Sequence, residues 1–469
     1  MATVYIKKTG NDGNSGTRSS PVLTVQRAAY MIQTAAEANS QIIIMDDETY
    51  IEGLIGQNAG TPVSPTVTQT GLTIMAETGS NGLPLVSPVI QGSGSGNAQS
   101  YAFYCAEGWT IKGLTFEDYD IAGADGAVIT NRGPSNGDDG ITIEQCTFRH
   151  ITGSCITFNR GSYLPLRHFV KSNTFYDITS KSTGELATMI VISKTSATRK
   201  ASILNNVFYD WQPQATAATF IKGGSTNSQL PEIIISHNTF GTSSVEANTG
   251  GSTTRAQYGV ASPGSKFEYN IIYEQTMAGT NSSFAQIDSG EANYNIYYNV
   301  AGTSDHAPFG RAAAPTSSVG NQSIDPSLKG PSLVGDSANY RLGGTTSPAF
   351  DAAIGSADVT KDRTGVSRAT LDASAFNTGI FDIGAYEVTG LWRPEQPDSL
   401  PQVGSDFTIN RILNSDNQHQ RGLQDGNSNI LGKDVDQIPF TAAINGAVPT
   451  FIRKRPTAYV QEGGKKSKG

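Results

Sequence analysis

An all-β solenoid is the fold this sequence predicts. Three observations predict it: a phrase that returns about every thirty residues, strand-like alternation inside the phrase, and turn-rich residues between its copies. The phrase reads WTIKGLTFEDY from Trp109, ITIEQCTFRHI from Ile141, HFVKSNTFYDI from His168 and ASILNNVFYDW from Ala201. It continues as EIIISHNTFGT from Glu232, SKFEYNIIYEQ from Ser265 and, in weaker form, GEANYNIYYNV from Gly290. Its closing apolar anchors are Phe116, Phe148, Phe175, Phe208, Phe240, Ile272 and Tyr297, at steps of 32, 27, 33, 32, 32 and 25 residues.

Within the phrase, apolar and polar residues alternate as they do in strands, and the intervening stretches are rich in Gly, Ser, Thr and Asn. A period near thirty suits three short strands per coil and exceeds that of leucine-rich repeats. Two residues before each anchor the series reads Leu114, Cys146, Asn173, Asn206, Asn238, Asn270 and Asn295. Asn tolerates a left-handed bend and bonds neighbouring backbone, so this series predicts a stacked ladder at one corner, a structural role.

In chain order, TVYIKK at residues 3–8 reads as a first strand, followed by a turn. From Val22 to about Ala38 apolar residues recur at helical spacing (Val25, Ala28, Ala29, Ile32, Ala35, Ala36), which predicts one amphipathic helix. Placed before the first coil, it would cap the open end of the solenoid. IIIM at Ile42–Met45 and GLTIMA from Gly71 are the next strands. The expected divisions are residues 1–70 as N-terminal cap and first coils, 71–388 as the solenoid, and 389–469 as a linker and a small β-containing module for attachment or oligomerisation.

Several residues resemble those of right-handed parallel β-helix proteins of the pectin-lyase-like superfamily. At the start these are Val4, Tyr5, Thr9, Gly10, Asn11, Asp12, Gly16, Thr17, Pro21, Thr24, Gln26 and Ala28. At the far end they are DPSL from Asp325, YRL from Tyr340, SPAFDA from Ser347 and DIGAYE from Asp382. The resemblance spans about residues 3–388 and implies a right-handed parallel β-helix. It does not choose an activity, because that scaffold carries lyases, hydrolases, epimerases, adhesins and phage tailspikes.

The chain of 469 residues carries a net charge of −8 and 16 % charged residues, a balance unlike that of a general nucleic-acid binder. Residues 389–469 hold ten basic and eight acidic residues, so they carry +2 and leave −10 for residues 1–388. The basic tail reads either as a solvated terminus or as an arm gripping an acidic surface. No apolar run reaches a membrane span of about 18–20 residues, and the opening residues lack the apolar core of a signal peptide. Cys105, Cys146 and Cys155 read as buried free thiols, and the five histidines show no metal-ligand spacing.

For chemistry, lyases on this scaffold need a cation on clustered carboxylates and a Lys or Arg base, and hydrolases need carboxylates across a groove. The best local cluster is NGDDG, with Asp138 and Asp139 before the Ile141 strand. Glu117, Asp118 and Asp120 lie a coil earlier; Arg149 and Lys171 lie on the following coils. Asp138, Asp139, Arg149 and Lys171 are therefore the catalytic candidates, and Asp138 with Asp139 the place for calcium if it binds; no other cofactor is expected. Vicinal aspartates before a strand also form turns, and that reading stands beside the catalytic one. The polygalacturonase and pectate-lyase signatures are not met. Tyr119, Tyr176, Tyr209, Trp211, Tyr273, Tyr297 and Tyr298 either stack on sugars or pack the coils.

The function expected from these features is a structural or recognition protein: a β-helix displayed on a larger particle, such as a phage decoration, fibre or tailspike, contacting surface polysaccharide. It would be a homotrimer joined to its assembly through residues 389–469, at a virion surface or outside the cell, without nucleic acid or membrane insertion. The alternative is an enzyme acting on an acidic polysaccharide, a lyase first and a glycoside hydrolase second.

Overall fold

The computed structural model describes residues 1–51, 70–92, 101–121, 126–131, 140–158, 167–181, 188–192, 200–213, 218–223, 232–242, 258–275, 277, 282–302, 304–310, 312–331, 337–343, 346–350, 352–353, 362–363, 382–386, 440–441 and 450–451. The chain divides into two compact units, Met1–Glu387 and Val388–Gly469. In the second, the short strands Phe440–Thr441 and Thr450–Phe451 pair antiparallel.

The first unit is a parallel β-helix built from three sheets. Sheet I has ten strands, from Thr3–Ile6 to Glu291–Asn293; sheet II has eleven, from Thr49–Ile51 to Gln322–Ser323; sheet III has seven, from Phe103–Cys105 to Ser283–Gln286. The repeat seen in the sequence is the register of sheet II. Phe116, Phe148, Phe175, Phe208, Phe240, Ile272 and Tyr297 pair one to the next. Two earlier rungs, at Tyr50 and Ile90, occupy the same position without carrying the phrase.

All five anchor phenyl rings are buried and stack with centroids 5.1, 4.8, 4.8 and 4.9 Å apart. Strands in one sheet lie about 4.8 Å apart, so identical residues in register stack at that spacing. Aromatic pairs in such contact add to the area they bury.

The Asn series lies beside this phenyl ladder. Asn206 Oδ1 accepts from the backbone N of Asn173 at 2.9 Å and from its Nδ2 at 3.0 Å; Asn206 Nδ2 donates to Val170 O at 2.8 Å and to Asn238 Oδ1 at 3.0 Å. Asn238, Asn270 and Asn295 repeat this pattern. The ladder gains one member, Asn321, whose Oδ1 accepts from Asn295 N at 2.9 Å. At the other end Cys146 takes the position: its backbone N donates to Asn173 Oδ1 at 2.9 Å, and its Sγ donates to Glu144 O at 3.3 Å and to Ile111 O at 3.7 Å. All three thiols are free and buried, and burial pushes Cys146 up to about 12.

The predicted helix, α1, runs over Val25–Ala35 and buries Val25, Ala28, Ala29 and Ile32. Ala35 and Ala36 are exposed, because the helix ends with Ala36 in the left-handed region at φ 53°. Thr24 caps the other end by accepting from Arg27 N at 3.0 Å. Asp12 of the opening motif braces that cap: it accepts from Leu23 N, Thr24 N and Thr24 Oγ1 at 2.9, 3.0 and 2.9 Å.

The closing motifs form a strap that returns over sheet II. Leu328 bridges Leu342 antiparallel, Ser347 Oγ donates to Pro326 O at 2.6 Å, and Ile383 N donates to Ala349 O at 2.8 Å. Arg363 donates to Asn173 O at 2.6 Å, and Ala385 N to Thr239 Oγ1 at 3.1 Å. The outward row of sheet II contains Tyr176, Tyr209, Gly241 and Tyr273; Tyr340 of the strap fills the place a side chain would take at Gly241, its ring 5.0 Å from that of Tyr209. A Cβ at residue 241 would overlap this buried ring. Gly241→Val is therefore expected to lift the strap and destabilise the unit by about 1–3 kcal/mol, as overpacking does. Limited proteolysis within residues 327–386, faster in the variant, checks it.

Candidate functional site

Four rungs of sheet II place two consecutive side chains outward, where simple alternation allows one. Along Thr115–Asp120, Phe116 points in, Glu117 and Asp118 point out, and Tyr119 returns inward. The cause is a left-handed residue at the second outward place: Asp118 at φ 57°, His150 at 51°, Asp177 at 51° and Asp210 at 48°. Asp and His tolerate this region better than most side chains, and the bend resets the alternation that a strand otherwise keeps. The same bend splits the rung containing Asp210 into Val207–Phe208 and Trp211–Gln212.

Stacking the coils turns these four residues into one row. His150 Nδ1 lies 3.8 Å from Asp118 Oδ1, and its Nε2 3.0 Å from Asp177 Oδ2. Gln91 Nε2 donates to Asp118 Oδ2 at 2.6 Å, and Gln212 Nε2 lies 3.5 Å from Asp177 Oδ1. The row is open to solvent, with side-chain exposures of 38 % for Asp118, 52 % for His150 and 34 % for Asp177. Beside it, Arg149 Nε donates to Glu117 Oε2 at 2.6 Å, and Arg149 Nη1 to the Tyr176 hydroxyl at 3.4 Å.

Asp210 has the distinctive titration. Burial and the neighbouring Asp177 carboxylate push it up to about 6, against the opposing pull of His150. An unfolded aspartate titrates near ~3.9, so the folded chain holds this proton more tightly. The stability Asp210 contributes is then full below about pH 4 and lost as pH rises through about 6. Relative to wild type, Asp210→Asn should gain stability between pH 4.5 and pH 7, read by urea unfolding at the two pH values.

Of the residues singled out from sequence, Asp138 and Asp139 lie outside the described residues. Arg149 stands in the site, one residue before His150. Lys171 does not: it ends the Arg167–Lys171 strand of sheet I and pairs with Glu144 at 2.8 Å, which also takes Lys112 at 3.0 Å. Burial acts to raise Glu144, yet the two lysines outweigh it and hold this carboxyl below the usual range. Arg149 and Lys171 thus project from different sheets. Among the described residues, no three or more His, Cys, Asp or Glu side chains are grouped to hold a metal ion.

Asp177 and Asp210 were not singled out from sequence, although a signal for the row exists two residues after each anchor: Asp118, His150, Asp177 and Asp210, then Thr242, Glu274 and Asn299. Of the aromatics, Tyr119, Tyr209 and Trp211 are buried, while Tyr176, Tyr273 and Tyr298 stay half-buried on the outer face.

No family model and no curated protein matches the chain. Among solved structures it is similar to the pectate lyase Pel9A, at 13 % identity and a TM-score of 0.46, over 82 % of this chain and 96 % of that one. A pectin methylesterase from Aspergillus niger aligns at 13 % identity and a TM-score of 0.38, over 73 % of this chain and 94 % of its own. A rhamnogalacturonan lyase aligns at 10 % identity and a TM-score of 0.34, over 78 % and 99 %.

Proposed function

We propose that the protein cleaves polysaccharide on the outer face of sheet II by acid–base hydrolysis. The observation that carries this reading is the Asp177–Asp210 pair: two carboxyl groups on adjacent coils, one of them titrating near 6. A carboxyl group raised in this way can serve as the acid while its neighbour serves as nucleophile or base. Asp210, titrating near 6, holds its proton into the weakly acidic range and delivers it to the glycosidic oxygen. Asp177, facing His150 Nε2, supplies the carboxylate that attacks the anomeric carbon or activates water. Adjacent coils lie about 4.8 Å apart, close to the ~5–5.5 Å carboxyl separation of retaining glycosidases.

The test is a cleavage assay on neutral and acidic polysaccharides that follows reducing ends and unsaturated-product absorbance together. Reducing ends without that absorbance are expected. Unsaturated products would replace hydrolysis by elimination, and no product from folded protein on any substrate would remove the enzymatic reading.

The division of the chain at Glu387 and Val388 favours a second, compatible role. The second unit would join the β-helix to a larger assembly, such as a phage particle, in which the protein stands as a homotrimer and contacts surface polysaccharide. Truncation after Glu387 should leave a folded first unit that no longer enters that assembly. Incorporation of the truncated chain would overturn the role.

A further inference from the structure

Resting on the hydrolytic reading of the Asp118–His150–Asp177–Asp210 row, we infer that the glycan this site accepts is uncharged, and that polyuronates are excluded from it. A uronate carboxylate needs a cation to receive it, from a side chain or a bound ion. The described residues place the cations Arg149, Lys181, Arg341 and Arg363 and the imidazole of His150 on this face of sheet II and on the strap over it, and each is already engaged. Arg149 is held by Glu117, and its remaining guanidinium nitrogen reaches the Tyr176 hydroxyl. His150 has a carboxylate at each ring nitrogen. Lys181 is paired with Asp120. Arg363 donates to Asn173 O and Thr174 Oγ1 and lies over the ring of Tyr386, and Arg341 lies over the same ring with its Nε buried.

Against these stand Glu117, Asp118, Asp120, Asp177 and Asp210, with Glu274 exposed farther along the same row. Of the cations only Arg149 and Lys181 pair with these acids, so six acids stand against four guanidinium and ammonium groups and an arriving carboxylate meets net negative charge. Like charges a few ångströms apart repel, and the repulsion fades once salt shortens the screening length to about 10 Å or less.

The remaining polar groups on the face suit hydroxyls. The Gln91 and Gln212 amides, Thr179 Oγ1 and the Tyr176 phenol each donate and accept. Sugar hydroxyls do the same and carry no charge, so they are met by carboxylates as acceptors without a counter-ion. An uncharged glycan therefore finds partners along the row, whereas a polyuronate finds acceptors facing acceptors.

Affinity electrophoresis of the full chain at pH 7.5 tests this, with dextran, galactan and arabinoxylan as neutral probes and polygalacturonate and alginate as charged ones. At low salt at least one neutral polymer should bind at least about tenfold more tightly than either polyuronate. Raising the salt to ~0.5 M should narrow that gap, since exposed charges are then screened. Asp177→Asn, which removes a charge without changing shape and keeps a residue that tolerates the left-handed region, should narrow it too. Tighter binding of a polyuronate than of every neutral polymer at low salt overturns the inference and leaves the polysaccharide reading standing. Binding of neither class to folded protein overturns both.

Discussion

Asp210→Asn is expected to reduce kcat for polysaccharide cleavage by about 10²–10⁴-fold, the usual loss when a positioned general acid is removed. The amide keeps the shape and the tolerance for φ 48° but has no proton to give. In the wild type, kcat/KM should fall with unit slope above about pH 6, as the group raised by burial and by Asp177 loses its proton. The variant should lose this limb, and that separates a proton donor from a residue that merely supports the bend. Asp177→Asn should be equally impaired, whereas an activated leaving group, which needs little protonation, should restore turnover to Asp210→Asn more than to Asp177→Asn. Nuclear magnetic resonance of the first product should show the retained anomer. An inverted first product would place a water between the two carboxyl groups and return Asp177 to the role of base.

Asn206→Ala is expected to destabilise the first unit by about 3–5 kcal/mol, because truncation leaves several buried groups without partners and each costs about 1–3 kcal/mol. The amide of Asn206 serves Asn173 N, Asn173 Nδ2, Val170 O and Asn238 Oδ1, and both Asn173 and Asn206 are fully buried. Asn206→Asp should be no milder. It keeps the acceptor but turns an oxygen toward Val170 O and Asn238 Oδ1, so the group must stay protonated or bring a charge into the corner. Urea unfolding of the two variants checks the order. A loss below about 1 kcal/mol in both would mean that water replaces the amide, as it does at solvated corners. Cys146 occupies the same place at the ladder's end, where its backbone N–H satisfies Asn173 Oδ1 and its thiol takes over the amide's donations, toward Ile111 O and Glu144 O.

Anchor spacing alone located the rungs of sheet II from Phe116 to Tyr297, because in-register stacking demands the same kind of residue at the same place in each coil. The rungs at Tyr50 and Ile90 escaped that reading. Their flanking residues share no phrase with the later coils, and parallel pairing needs only an apolar inward side chain there. The helix was legible from its apolar spacing, and its shorter C-terminal end was not, because Ala35 and Ala36 continue the pattern while the backbone already turns left-handed.

The site was less legible for a physical reason. A run such as FYDI or FRHI reads in sequence as a strand whose alternation has slipped. That both of its consecutive polar residues face outward depends on a left-handed bend that local propensity permits but does not require. The adjacency of Asp118, His150, Asp177 and Asp210, separated by 27 to 33 residues of chain, arises only when the coils stack. The same stacking moved Lys171 onto another sheet than Arg149 and gave it to Glu144. Sequence by itself determined the coil, its apolar anchors and its amide corner, since those follow from periodicity and burial. Tertiary structure decided which charges meet, because a titration near 6 at Asp210 comes from burial and from a carboxylate one coil away, and neither is a property of the local chain.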